Sequence, residues 1–132
     1  MRCLWWILGV RPALRLRRVV VVGTSMAPTL VPGDRLLVLG VRRPIALQPG
    51  VLIAFEDPRS SNAMLLVKRV VRTFRSGIEV WGDNPESSTD SRSFGLVPHR
   101  RVVGVVVYRY GPPSRAGFLV RSAWVPGGLK AP

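Results

Sequence analysis

A lysine in an apolar setting is the residue whose type and position point most directly to chemistry. The chain has 20 basic residues, yet only Lys68 and Lys130 are lysines. An arginine stays protonated in a protein, whereas a lysine removed from water loses its proton readily. Lys68 lies within the apolar stretch 65–71, and burial lowers an amine's pKa by up to about 3–5 units. The sequence therefore indicates a candidate general base, against the alternative of a strand lysine that reaches solvent.

Ser25 is the nucleophile that such a base would need. It follows the valine run 19–22, in the segment GTSMAPTL of residues 23–30. Gly23 permits a sharp turn and the close approach of a substrate, and Pro28 restricts the loop that follows. An activated serine needs a base and an oxyanion donor, and the Ser25 backbone N–H could be that donor. Taken alone, the segment would favour an ordinary turn serine.

The other usual catalytic sets find less support in the sequence. His99, the single histidine, is followed by two arginines and has no carboxylate close in sequence, which predicts a surface histidine. Cys3 is the single cysteine, so we expect neither an internal disulfide nor a His/Cys metal site. Asp83 and Asp90 share one serine-rich loop and lack an apolar setting that would raise their pKa values. We expect no metal and no cofactor.

Short valine- and leucine-rich runs bounded by Gly, Pro and Asp predict strands. The expected strands cover residues 18–23, 34–40, 51–56, 64–74, 78–81 and 102–110, the first of them buried, with a hairpin turn at Ser76-Gly77. In the fourth, Lys68 and Arg69 should point to opposite faces. The segments 24–33 and 82–93 are expected to be loops. With little helical periodicity, the fold class is all-β, a small folded sheet or barrel.

Four segments in a fixed order resemble the conserved boxes of type I signal peptidases. They are GTSMAPTL (residues 23–30), GDRLLV (33–38), KRVV (68–71) and GDNPESSTDSRSFG (82–95), followed by Val97-Pro98 and Val103-Gly104. The resemblance implies that Ser25 is the nucleophile, that Lys68 is the base and that Ser88 orients the lysine. It also implies structural roles for Asp83 and for an Asp90–Arg92 ion pair, and a substrate cleft shaped by Met26 and Pro28.

The family binds its substrate as an added β-strand and cuts after small side chains, as in an A-x-A pattern. Many bacterial members have a serine in the oxyanion hole where this chain has Gly23, so backbone N–H groups around Gly23 and Thr24 would hold the oxyanion here. The implied partner is a protein precursor. Without the family's membrane anchors and its large insertion, the chain is similar to the small peptidases that mature nickel-containing superoxide dismutase in actinobacteria and their relatives.

The expected organisation is an N-terminal basic and apolar segment (1–17), a peptidase catalytic domain (18–110) and a Pro/Gly-rich tail (111–132) that is partly disordered. The apolar residues 4–10 are too few to cross a bilayer, which needs about 20. We therefore expect a cytoplasmic or peripherally membrane-associated protein without a transmembrane span. Trp5 and Trp6 could rest on an anionic lipid surface or be buried as an ordinary edge element.

The net charge of +13 leaves two other functions open. It attracts anionic partners, although an arginine-rich, GC-rich coding sequence explains it equally well. A non-enzymatic nucleic-acid-binding barrel would use Phe74, Trp81, Tyr108 and Tyr110 near arginines, but it does not explain why the lysine and serine segments co-occur. A self-cleaving switch of the LexA type would need a DNA-binding helical domain and an internal cleavage site, and Ala116-Gly117 lies after the core.

Overall fold

The computed structural model describes residues 15–40, 47–62, 64–87 and 89–119. Within them the strands are β1 (Leu16–Val20), β2 (Arg35–Gly40), β3 (Leu52–Glu56), β4 (Leu65–Phe74), β5 (Gly77–Trp81), β6 (Val102–Gly111) and β7 (Gly117–Phe118). The helical elements of the described residues are α1 (Ser91–Phe94) and the 3-10 turns His99–Arg101 and Pro113–Arg115. The predicted all-β fold class is confirmed.

The strands form one antiparallel sheet with the order β1-β2-β6-β3-β4-β5, and β7 pairs with β6. The strand β6 therefore connects the two halves of the sheet. Gly104, in β6, pairs with Gly40 of β2 and Ala54 of β3. A Cβ atom at position 104 would collide with the carbonyl group of Leu39, so glycine allows this close approach of β2 and β6.

The sheet is buried on both faces around β3, whose sequence LIAF is apolar without alternation. Leu52 and Ala54 belong to a first core cluster with Met26, Leu30, Leu36, Val38 and Val106. Ile53 and Phe55 belong to a second core cluster with Val70, Ile78, Val80 and Val97. Loops cover each cluster, because a single sheet cannot bury both of its faces by itself.

The register of β4 places the adjacent cations Lys68 and Arg69 on opposite faces, as the strand alternation predicted. Lys68 lies opposite Ile53 and therefore on the face of the second cluster. Arg69 lies opposite Leu52, on the face of the first cluster. Each residue is only 3% exposed.

The first strand differs from its prediction in both extent and burial. It covers Leu16–Val20 rather than residues 18–23, and four of its five residues are exposed, with Leu16 at 63% and Val20 at 55%. The reason is its position, because among the described strands β1 pairs with β2 alone and so lies at one edge of their sheet. Beyond its end, the Val21 N–H still donates to the Asp34 carbonyl (2.9 Å), while Val22 is exposed.

The beginning of the Pro/Gly-rich tail is ordered where it pairs with β6. Residues 117–118 form β7, and the Phe118 ring lies 4.8 Å from that of Tyr108. The Leu119 N–H donates to the Val107 carbonyl (3.0 Å). Pairing with β6 explains this order, since the sequence pattern alone does not reveal a two-residue strand.

The predictions for residues 1–14, including Cys3 and the apolar stretch 4–10, and those for residues 120–132 lie outside the described residues. In the part of the chain that is described, none of the helices has the length and apolar character needed to cross a bilayer.

Candidate active site

Ser25 lies at the start of the connection between β1 and β2, which we call the Ser25 loop (residues 24–34). The loop folds by local turns, with N–H···O bonds from Ala27 to Thr24 (3.1 Å) and from Leu30 to Met26 (2.9 Å). Met26 and Leu30 are buried in the first core cluster, which anchors the loop on the sheet. Ser25 itself is half-buried, so its side chain is positioned but not sealed from solvent.

The segment that follows β5 holds the beginning of the Ser25 loop. The Asn84 N–H donates to the Ser25 carbonyl (2.9 Å), and the Asn84 side-chain amide donates to the Thr24 carbonyl (3.1 Å). The hydroxyls of Thr24 and Ser87 are 3.0 Å apart. The 82–87 segment and the Ser25 loop are thus bonded along several residues, which restricts the motion of both.

Lys68 occupies a site that favours its neutral amine. Burial lowers the pKa of Lys68 below the ordinary value of 10.5. The negative charge of Asp90 opposes this shift, while the positive charges of Arg59 and Arg92 reinforce it and that of Asp57 opposes it. A lysine with a lowered pKa has an available lone pair at a lower pH than a solvated lysine.

Asp90 orders the loop beside Lys68. Its carboxylate is 1% exposed and accepts hydrogen bonds from the backbone N–H groups of Gly82 (2.9 Å) and Arg92 (3.2 Å). Through the bond from Arg92, Asp90 is the N-cap of α1. The Arg92 guanidinium binds both carboxylate oxygens, at 2.9 and 2.7 Å, and lies over the Trp81 ring. This ion pair therefore closes the segment 82–92 onto the end of β5.

A second ion pair links β4 to the Ser25 loop. Arg69 donates to the two oxygens of Asp83 at 2.9 and 2.7 Å, and both side chains are less than 10% exposed. The Thr29 hydroxyl donates to the same carboxylate (2.6 Å), and Arg69 also donates to the Gly50 carbonyl (2.8 Å). The residue next to Lys68 in β4 is thereby connected through Asp83 to the loop that carries Ser25.

The chain path limits how far Ser25 is from this part of β4. Trp81 is the register partner of Arg69, and three residues later Asn84 bonds to the Ser25 carbonyl. Three extended residues reach at most about 11 Å. The Ser25 backbone is thus joined to this part of β4 by a short path through residues 81–84.

The edge of β4 next to Lys68 is suited to accept another strand. β5 pairs with β4 only over Arg69–Phe74, whereas β3 pairs with Leu65–Arg69. Among the described strands, the stretch from Leu65 to Lys68 thus has a ladder on its β3 side alone. Backbone groups at such an edge can bind an extended peptide.

The other predicted site residues are placed as follows. Met26 is buried in the first cluster, while Gly23, Thr24 and Pro28 are exposed around Ser25. Ser88 lies outside the described residues. The prediction of a surface histidine needs correction, because His99 is half-buried, with its Nε2 atom 2.7 Å from the Phe74 carbonyl oxygen and its Nδ1 atom buried. Asp83 and Asp90 bind separate arginines and do not act as a carboxylate pair.

Sequence reasoning missed Thr29, Arg109 and Arg115, and it quoted Asp34 without a role. A signal was available in the composition, because the chain has only four aspartates among many arginines. A scarce carboxylate in such a chain is expected to attract a guanidinium. In the structure every aspartate does bind at least one arginine: Asp34, Asp57, Asp83 and Asp90.

Comparison with known proteins agrees with this arrangement. Residues 77–111 match the profile of a family described as signal peptidase, peptidase S26. The chain is also 27% identical, over 139 aligned positions, to thylakoidal processing peptidase 1, chloroplastic, of Arabidopsis thaliana. That alignment covers 70% of this chain and 41% of the plant protein.

Over these residues the chain is similar to signal peptidases. The matched residues include β5, Asp83, the Asp90–Arg92 ion pair, α1 and β6. Ser25 and Lys68 precede the matched range. Asn84, within that range, bonds to the carbonyls of Ser25 and Thr24, and the charges of Asp90 and Arg92 act on the pKa of Lys68. The chain spans about two fifths of the length of the plant relative.

The described residues hold a hydroxyl group on an anchored loop and, in the sheet, an amine of lowered pKa. Nucleophilic attack on a carbonyl carbon needs a hydroxyl and a neutral base of these two kinds. Among the described residues, no group of three or more His, Cys, Asp or Glu side chains could hold a metal ion.

Proposed function

We propose that this protein is a serine endopeptidase that removes an N-terminal leader or signal segment from a protein precursor. Ser25 is the nucleophile and Lys68 the general base. The observation that carries the proposal is that a lysine of lowered pKa is buried in the sheet next to the segment that binds the Ser25 loop. The similarity of residues 77–111 to signal peptidases supports the same class of reaction.

The proposed reaction has two stages. The Ser25 Oγ atom attacks the scissile carbonyl carbon while the neutral Lys68 Nζ atom takes the hydroxyl proton, and the protonated lysine then donates it to the leaving amine. In the second stage the neutral Lys68 takes a proton from water, whose oxygen attacks the ester carbonyl carbon. The ester bond to Ser25 then breaks, and the protonated lysine returns the proton to the Ser25 Oγ atom, which regenerates the hydroxyl and the neutral amine. Backbone N–H groups around Gly23, Thr24 and Ser25 stabilise the oxyanion.

The proposal makes a specific demand on the geometry of the Ser25 loop. Met26 points into the first core cluster, whereas Lys68 lies on the face of the second. The Ser25 side chain must therefore turn away from the direction of Met26, toward the amine. Ser88, in the same loop as Asp90, is proposed to hold the amine in place with its hydroxyl.

The substrate is proposed to bind as an extended strand along the edge of β4 between Leu65 and Lys68. This edge leads to the proposed base, so an added strand would place its scissile bond near Lys68 and Ser25. Val67 and Met26 belong to the first-cluster side of this region and would contact a small side chain before the cleaved bond. The precursor of a nickel-containing superoxide dismutase is the proposed substrate, on the resemblance to the small maturation peptidases given in the sequence analysis.

The test is to incubate the purified protein with this precursor, and with a peptide carrying alanines at the first and third positions before the scissile bond. New N-termini are then determined by mass spectrometry. Ser25→Ala and Lys68→Arg should each reduce the rate by at least about a thousandfold, because removing one member of a catalytic unit disables the whole. Lys68→Arg keeps the charge but cannot act as a base at neutral pH.

The matched controls are Ser76→Ala, at an exposed hairpin turn, and Lys130→Met, at the other lysine. Both should cleave like the wild type. Cleavage by Lys68→Arg at the wild-type rate would reject the assigned base. Salt-dependent binding of oligonucleotides together with no cleavage of either probe would favour the nucleic-acid-binding alternative.

A further inference from the structure

We propose that Arg115, in the turn after β6, is a positioning residue that holds the Ser25 loop in its reactive place. The inference rests on the proposed function in that the group it positions is Ser25. The contacts that carry it join the segment after the last long strand to Thr29 and Asp34, far away in sequence.

Arg115 binds the far end of the Ser25 loop with a two-pronged contact. Its Nε and Nη2 atoms donate to the two carboxylate oxygens of Asp34, at 3.0 and 3.1 Å, and Nη2 is also 3.4 Å from the Thr29 carbonyl oxygen. The Asp34 carboxylate is 1% exposed. A paired arrangement of this kind fixes orientation as well as distance.

Arg109, in β6, supports the same contact from the sheet. Its Nη1 atom donates to the Thr29 carbonyl (2.9 Å) and lies 3.3 Å from the Asp34 carboxylate. Its Nε atom donates to the Arg115 carbonyl (2.5 Å). The backbone at position 115 is therefore bonded as well as its side chain.

Thr29 is consequently held from two sides. Its carbonyl accepts hydrogen bonds from Arg109 and Arg115. Its hydroxyl donates to Asp83, which is paired with Arg69 beside Lys68. Release of one side allows Thr29 to shift relative to β4. The turn bond between Leu30 and Met26 couples that shift to the start of the loop, where Ser25 lies.

Proton transfer between Ser25 and Lys68 depends steeply on their separation, and a displacement of about 1 Å can cost about a hundredfold in rate. The charged groups that face Lys68 are Asp57, Arg59, Asp90 and Arg92. Arg115 is not among them. Loss of Arg115 should therefore lower kcat without moving the pH midpoint of the reaction.

The experiment compares Arg115→Gln and Arg115→Lys with a control, Arg72→Gln, which removes an exposed arginine lying over the Phe74 ring. Amide hydrogen exchange is measured on these three variants and on the wild type, together with kcat, KM and the pH profile for the alanine-containing peptide. Ile78→Val, in the second core cluster, serves as a control for a general loss of stability.

We expect Arg115→Gln to speed exchange at the amides of Leu30, Gly33 and Asp34 while leaving β3 and β4 unchanged. We expect kcat to fall between about tenfold and about a hundredfold, because a small displacement of Ser25 slows proton transfer. KM should stay within a factor of about two of the wild-type value, and the pH midpoint should not move. Arg115→Lys should recover part of kcat, and Arg72→Gln should match the wild type. Ile78→Val should speed exchange across the sheet instead.

Unchanged exchange in the Ser25 loop of Arg115→Gln would overturn the proposal, and so would a wild-type kcat. Faster exchange across the whole sheet, as in Ile78→Val, would show a merely structural role and would also overturn it. If the wild type cleaves neither probe, the proposed function fails, and exchange in the Ser25 loop still decides whether Arg115 holds it.

Discussion

At the scale of single residues, the decisive feature is the contrast between Lys68 and its neighbour Arg69. Both are buried to the same extent in one strand. Arg69 keeps its charge and binds the Asp83 carboxylate directly, whereas burial lowers the pKa of Lys68. Arginine and lysine thus serve different purposes in adjacent positions, because only the lysine can become neutral at moderate pH.

The lowered pKa of Lys68 predicts the pH dependence of cleavage. In the proposed mechanism only the neutral amine accepts the Ser25 proton, so kcat/KM should rise about tenfold per pH unit below the pKa of Lys68 and then level off below pH 10.5. The measurement is a pH series with the alanine-containing peptide. A rate that stays flat from acid to neutral pH would contradict a lysine base.

The same shift predicts how stability depends on pH. Between the lowered pKa of folded Lys68 and the ordinary 10.5 of the unfolded chain, the unfolded state binds more protons, so the free energy of unfolding rises with pH. Lys68→Met should lack this contribution and show a shallower rise over that window. Urea unfolding of both proteins at several pH values measures it, and parallel curves would count against a buried, neutral lysine.

At the scale of elements, the site is built from loops that are bonded to strand ends. The Ser25 loop is buried through Met26 and Leu30, and it is bonded to the 82–87 segment and to the Arg69–Asp83 pair. Removing one partner of a buried ion pair is costly, because the charge that remains is buried without a counter-charge and without water to solvate it.

The two ion pairs that involve β4 and its preceding loop should differ in energetic weight. Arg69→Met leaves the Asp83 carboxylate buried without its main partner and should reduce the free energy of unfolding by about 3–5 kcal/mol. Arg59→Met removes a half-exposed partner of Asp57 and should cost only about 0–1 kcal/mol. Urea denaturation compares the two, and equal losses would show that burial does not determine the difference.

The close approach of β2 and β6 at Gly104 gives a second prediction at this scale. Gly104→Ala places a methyl group against the Leu39 carbonyl and the Val38 side chain, so it should destabilise the fold by about 1–3 kcal/mol. Gly117→Ala is the matched control, since open space surrounds its new methyl group. Thermal unfolding measures both, and an unchanged melting temperature for Gly104→Ala would contradict the close strand approach.

At the scale of the whole molecule, a large excess of arginine is organised around few carboxylates. Burial by itself would raise the pKa of Asp34, but the hydrogen bonds of Arg115 and Val31 and the charges of Arg115 and Arg109 outweigh it and lower this pKa below 3.8. Hydrogen bonds from Arg59 likewise lower the pKa of Asp57, against the opposing effect of its burial. Asp34 thus connects elements that are distant in sequence, whereas Asp57 binds an arginine two residues away.

This arrangement predicts sensitivity to acid. The stability supplied by Asp34 is fully present above its ordinary pKa of 3.8 and is lost as the pH falls through the lowered folded value, because the unfolded chain takes up the proton first. Asp34→Asn should be less stable than the wild type at neutral pH and should lose less stability between neutral pH and acid. Circular dichroism during acid titration tests this, and identical acid transitions would refute it.

The sequence alone determined the strands with strong patterns and the candidate chemistry. The valine- and leucine-rich runs of β2, β3, β4 and β6 carry their own periodicity and turn signals, so their positions were predicted to within about two residues. Lys68 stood out because lysine is rare in this chain, and Ser25 because of the segment around it.

Only the tertiary structure decided which partners these residues have. Asp34 and Arg115 are 81 positions apart, and Thr29 and Asp83 are 54 apart, so neither contact follows from local pattern. The valine run 19–22 suggested burial, yet its strand lies at an edge because of the order in which the strands pair. Register and strand order arise from long-range packing, and they determine which side chains meet around the Ser25 loop.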